Sequence, residues 1–276
     1  MIQNQISILF YLIFILYSCL GFFCLFLNKK ERLNQVFFWL CLSYAIWTFA
    51  FAISNTLNDV HDVLIWRRIA ALGWGSAFSL MLHFILVLTE KQELLHSLKI
   101  RVAIYLPAAI TIAVFSLFSD LANAQYNLVQ TPAGWGNIPV NNGWDLFYNL
   151  YYLSFSLITL GVLFKWHRSS ANRKKQRQAF WLLLAFSVAI ALGTVSEMLA
   201  NNMLTYKIPS IAPIILLIPV LAFAYDIRKY KLMLPETATK KAKLSEILSH
   251  DAHLSLFRAM AIVFVVISIL NLGHYF

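Results

Sequence analysis

Apolar residues along this chain gather into runs of about 20, the length a helix needs to cross a hydrocarbon layer roughly 30 Å thick. The runs are Ile6–Leu27, Val36–Ile53, Ile65–Thr89, Ile100–Phe118, Trp144–Trp166, Ala179–Ala200 and Ile211–Tyr225, with a weaker eighth at Leu254–Leu272. This pattern predicts an all-α fold: a polytopic membrane helix bundle of seven core transmembrane helices plus an eighth, C-terminal one. Residues 1–230 are expected to form the seven-helix domain, 231–253 a basic cytoplasmic connector, and 254–276 the additional apolar helix.

The polar gaps fix an orientation. Of the 22 Lys and Arg residues, 19 fall in four gaps: Asn28–Gln35, Glu90–Arg101, Lys165–Gln178 and Asp226–Arg258. These alternate with gaps that hold only Arg67, Arg68 and Lys207. Lys and Arg are retained on the cytoplasmic side. The chain is therefore expected in the cell inner (plasma) membrane, with its N-terminus outside and the end of the seventh span inside.

At 60% hydrophobic and 12% charged, with mean hydropathy +0.69, the composition excludes a soluble globule of ordinary surface. A net charge of +10 raises the question of nucleic acid. The cations are instead divided among short loops on one face, where they serve topology and anionic headgroups. Cys19, Cys24 and Cys41 all lie within the first two runs and form no CxxC pair, so they read as small hydrophobes. Met1–Gln5 carries no cation, while Lys29 and Lys30 follow the first apolar run, so that run is expected to be retained as an anchor.

Three segments depart from plain apolar helix. The charge-poor side holds a long loop, about Ser119–Gly143, rich in Gly, Pro and Asn. Within it Tyr126–Thr131 and Asn137–Val140 are expected to pair across a Gly134-Trp135-Gly136 turn. The third run places Ala71, Gly73, Gly75, Ala77 and Ser79 at spacings that let helix backbones approach closely. The alternative is that these missing side chains leave room for a ligand near Trp66 and Trp74. The seventh run contains Pro213 and Pro219 and is preceded by Pro209. Proline is tolerated in a first helical turn but bends a helix interior, so Pro219 is expected to bend this span.

Charged groups within a membrane are costly and point to function. Glu197 lies near the outer end of the sixth run, Asp145 opens the fifth, and Arg67 and Arg68 open the third. With Trp66, Trp144, Tyr148 and Tyr152 they could converge on an outward-facing pocket. The plainer reading makes them headgroup-level anchors. His83 has no second histidine at a matching depth, which argues against haem and for a hydrogen bond to a neighbouring helix. No HExxH or GxSxG motif occurs, and no lysine sits in the seventh run to form a retinal Schiff base. No catalytic residue, metal or cofactor is expected.

Three stretches carry a family resemblance. The first is Trp47 followed by IWRRIAALGWGSAFSLMLHFILVLTE (Ile65–Glu90). The second is the loop's closing GWDLFYNLYYL (Gly143–Leu153), and the third is IPSIAPIILLIPVLAFAYDIRKYKLM (Ile208–Met233). In order and spacing they resemble the N-terminal seven-transmembrane sensor region of bacterial histidine kinases and diguanylate cyclases, over roughly residues 5–235. The resemblance implies a non-enzymatic sensory module that relays a signal through its last core helix to a cytoplasmic kinase or cyclase. No kinase, PAS or GGDEF-like segment follows within the 276 residues, so the output lies on a partner or on a longer form of the chain.

These readings combine into one expectation. A pocket at Trp66, Arg67, Trp74, Tyr148 and Glu197 binds a small-molecule or lipid ligand and biases the last core helix. The expected partners are that ligand, a kinase or cyclase module, membrane lipids and a second copy of the chain as a homodimer, with no nucleic acid. A small-solute or lipid transporter is the alternative.

Overall fold

The computed structural model describes residues 2–118, 120–132, 134–199 and 210–230. Within them lie α1 (Ile2–Leu27), α2 (Arg32–Ser54), α3 (Val60–Leu88), α4 (Leu98–Phe115), α5 (Gly143–Ser169) and α6 (Arg173–Gly193), the last continued by a π-helical turn, Thr194–Leu199. These six are long and apolar enough to cross a membrane. The seventh run forms a shorter apolar segment, α7 (Ala212–Ile215) and α8 (Leu217–Tyr230). The expectation of seven core spans plus an eighth is therefore met only as far as six full-length spans. The weaker run Leu254–Leu272, the connector 231–253 and Pro209 lie outside the described residues.

The segment breaks at Leu216, one turn before Pro219, rather than bending at the proline itself. Pro219 has no N–H to return to the carbonyl four residues back, so the ladder fails at Ile215 and a new helix begins. Pro213 sits in the first turn of α7, where a missing donor costs nothing. Pro107, by contrast, lies inside α4.

The helices sort by burial. In α2 and α3 72% of the most apolar window is buried, whereas in α1, α4, α5 and α6 the share does not exceed 39%. The outer helices display apolar stripes: Leu146, Leu150, Leu157 and Phe164 on α5, and Trp181, Leu184, Val188 and Leu192 on α6. Surface of that kind is stable against lipid tails and not against water.

Glycines in α3 set the central packing. A Cβ on Gly73 would lie 2.7 Å from the Trp47 backbone nitrogen on α2, and one on Gly75 would lie 3.0 Å from the Ile112 side chain on α4. The small residues thus serve close packing, not an empty slot. Lower in the bundle Phe223 of α8 is fully buried among Phe37, Phe84 and Phe186, with ring centroids 4.6–5.8 Å apart. Polar links cross the apolar core. The Tyr151 hydroxyl lies 2.9 Å from the Ser79 amide and 3.2 Å from the Gly75 carbonyl, two groups that an α-helix would pair with each other. His83 bonds Tyr105 of α4 through Nδ1, the inter-helix role expected of it.

The two ends differ in charge. The corners after α1, α3 and α5 carry the basic residues, and a 2.6 Å ion pair between Lys175 and Glu90 joins two of them. At the other end an antiparallel hairpin, β1 (Leu128–Thr131) and β2 (Gly134–Asn137), covers the helix tips. Its register pairs Leu128 with Asn137 and Thr131 with Gly134. The reversal therefore falls between Thr131 and Gly134, and Gly134-Trp135-Gly136 is strand rather than the expected turn. Contacts with the bundle hold that segment extended: the Trp135 amide donates to Asn55 Oδ1 at 2.8 Å and its indole to the Leu57 carbonyl at 3.0 Å. Gly134, at φ 127°, adopts a conformation that side chains rarely tolerate.

Substituting Gly73→Ala forces α2 and α3 apart and is expected to cost about 1–3 kcal/mol. Gly161→Ala meets open space and should be neutral or slightly stabilising. Thermal denaturation of the detergent-solubilised variants measures both.

Candidate functional site

Beneath the hairpin, between the upper halves of α2, α3, α5 and α6 and the start of α7, lies a cavity of about 190 Å³. Aromatic side chains form much of its wall, among them Trp47 and Phe51 from α2, Trp74 and Phe78 from α3, Tyr148 and Tyr152 from α5, and Phe186 from α6. Trp74 and Tyr148 pack edge to face at 4.8 Å, and Phe78 meets Tyr152 at 4.9 Å. Edge-to-face arrangement is the geometry that the quadrupoles of aromatic rings favour. Asn137, Pro139, Asn141 and Asp145 form the rim. The Asp145 carboxylate is held at the rim by the Asn141 amide, 2.7 Å away.

Two opposite charges face this space. Arg67 is 2% exposed although it lies only two turns into α3. Its guanidinium carbon sits 3.8 Å from the centroid of the Phe51 ring, and Nη2 donates to the carbonyl of Trp135. A cation stacked on an aromatic face while holding a carbonyl survives burial that would otherwise cost several kcal/mol. The Arg67 carbonyl in turn accepts from the Tyr126 hydroxyl, which also donates to Phe115. Burial raises the Tyr126 phenol above its ordinary pKa, against the pull of Arg67 and Arg68. It therefore stays protonated, and a donor, at neutral pH.

Glu197 supplies the negative charge. It projects from the π-helical turn that ends α6, and Oε1 accepts the amides of Ile211 at 2.8 Å and Ala212 at 3.0 Å. A carboxylate at a helix N-terminus satisfies amides that have no partner within the helix. Here the cap comes from a different helix, so the start of α7 is tied to the end of α6. From the opposite side the Tyr17 hydroxyl of α1 donates to the Pro213 carbonyl at 2.7 Å. Among the described residues no contact ion pair joins Arg67 and Glu197, but both line the cavity and each lies within reach of the other's charge.

Of the five pocket residues expected from the sequence, Arg67, Trp74, Tyr148 and Glu197 line this cavity. Trp66 does not. It packs edge to face on Phe49, 5.9 Å away, because one step along α3 from Arg67 rotates a side chain by about 100°. Tyr152 and Asp145 are also brought in, while Trp144 is 38% exposed and Arg68 turns to the Ser116 carbonyl and Asn123. Sequence reasoning missed Phe51, Phe78, Phe115 and Phe186, whose types are indistinguishable from core residues along a membrane helix, and Tyr126 of the outer loop. It also missed Asn55. That residue ends α2, and an Asn just beyond an apolar run was the available signal for a polar clamp.

A bundle of apolar helices with a cavity at its charge-poor end has the form of a multi-pass membrane protein. The chain belongs to the family described as the N-terminal 7TM region of histidine kinase, whose model matches residues 9–235. That region is the non-catalytic, sensory part of such kinases. No curated protein matches the chain.

Asn55→Ala removes the acceptor for the Trp135 amide and is expected to loosen the hairpin by about 1–3 kcal/mol. Faster hydrogen exchange across residues 128–137, with the helices unchanged, is the predicted reading.

Proposed function

We propose that this bundle is a receptor that binds a small or lipid-like ligand on the outer side of the plasma membrane. The ligand's effect passes through the last core helix to a cytoplasmic kinase or cyclase, on a partner or a longer form of the chain. The observation that carries this reading is the Glu197 clamp. One carboxylate both lines the cavity and caps α7, the short helix just before the one that leads out at the basic end. A ligand that shifts Glu197 changes how firmly α7 is held, and the break at Leu216 lets the start of that segment move without dragging Phe223 from its aromatic cluster. A tenfold bias in output needs only about 1.4 kcal/mol of differential affinity.

The proposed topology has seven core crossings, the N-terminus outside, residues 231–253 as a basic cytoplasmic connector and 254–276 as an eighth apolar helix. Homodimerisation would give the connector a second copy to act on. A membrane-impermeant thiol reagent applied to intact cells should label a cysteine placed at Asn141 and spare one at Lys174. Labelling of Lys174 alone would invert the molecule and defeat the proposal.

The relay itself is tested with Glu197→Gln. Loss of the charge weakens its hydrogen bonds to Ile211 and Ala212 by about 1–2 kcal/mol. The reactivity of a cysteine introduced at Lys229 should change by several-fold. An unchanged rate in a normally inserted protein removes Glu197 from the relay. Solute counterflow in vesicles would replace a receptor with the transporter alternative.

A further inference from the structure

Two residues that line the cavity each carry a buried, unused hydrogen-bond donor. Arg67 spends Nη2 on Trp135, yet its Nε has no partner among the described residues. Trp47, 5% exposed, has no partner there for its indole Nε1. Both residues line the cavity and both touch Phe51, the guanidinium at 3.8 Å and the indole edge to face at 6.1 Å. Unsatisfied buried donors are rare and costly.

We propose that the cavity is an acceptor site for a small amphiphilic monoanion, whose carboxylate or phosphodiester oxygens sit on Arg67 Nε and Trp47 Nε1. The apolar body of the ligand lies against Trp74, Phe78 and Tyr148. The carboxylates of Glu197 and, at the rim, Asp145 repel a second negative group and so select a monoanion over a polyanion. A volume of about 190 Å³ lies below the ~300 Å³ at which drug-sized pockets begin, which limits the ligand to one ring or a short chain. This assignment rests on reading the cavity as the ligand site.

The test is calorimetric titration of the full chain in phosphatidylcholine nanodiscs with phenylacetate, 2-phenylethanol and 2-phenylethylamine, probes that share one apolar body. Phenylacetate should bind about tenfold or more tighter than the alcohol, the equivalent of one charge-assisted hydrogen bond, and tighter than the amine. Trp47→Phe keeps the ring and deletes the donor. It should weaken phenylacetate by about tenfold while leaving 2-phenylethanol within about twofold. Arg67→Gln should remove the acid preference altogether, and the Trp47 variant keeps the test decisive if that protein does not fold. Phenylacetate that weakens as phosphatidylglycerol is added assigns the seat to a lipid headgroup; an unchanged affinity assigns it to a soluble acid. Equal binding of acid and alcohol, or an equal loss of both in Trp47→Phe, overturns the monoanion while sparing the cavity's role. No saturable binding by any probe overturns both.

Discussion

Close approach of α2 and α3 at Gly73 is the contact from which the upper half of the molecule takes its geometry. With no side chain at Gly73, the α3 backbone rests on Ser43 and Trp47, and the two helices run together over most of their length. That contact carries Trp47 and Phe51 to one side of the cavity and sets Arg67, Trp74 and Phe78 beside them. In lipid there is no hydrophobic force to draw helices together, so van der Waals contact at such positions does the holding. A side chain at Gly73 would displace the aromatic wall as well as the helix axis.

Around that axis, the charge-poor end is closed by polar groups that each serve two elements. Asn55 ends α2, takes the amide of Trp135 and accepts Gln3 of α1 on its carbonyl. Arg67 supports the same strand from below. Glu197 closes α6 against the start of α7. These links do the work that backbone ladders do elsewhere, and they lie where the hairpin and the helix starts would otherwise present unpaired groups to a low-dielectric space. The basic end contrasts with this: its ion pair between Lys175 and Glu90 is exposed and adds little stability.

Much of this was legible along the chain. Apolar run length and the alternation of basic and neutral gaps anticipated seven core spans, six of which the structure shows at full length, and the shared end of Arg67, Asp145 and Glu197. Four of five proposed pocket residues meet at one cavity because charge and aromaticity at the ends of apolar runs are conspicuous. Trp66 was misplaced because its neighbour Arg67 marks the site equally well by type, and only helix rotation separates them. The hairpin register was misjudged for a related reason. Glycine signals a turn in isolation, but Asn55 and Arg67, some 70 residues away, hold Gly134-Trp135-Gly136 extended.

The sequence by itself determined the solvent of this protein, its helical class and the sidedness of its charge, since each depends on composition over about 20 residues and not on any neighbour. Tertiary structure alone decided that Phe51, Phe78 and Phe186 face a cavity while Phe37, Phe84 and Phe223 fill a core. It also decided that Glu197 caps a helix it does not belong to. Those outcomes depend on the rotation of each helix about its own axis and on which neighbour it meets. A membrane helix that is apolar on every face carries little periodic signal for either.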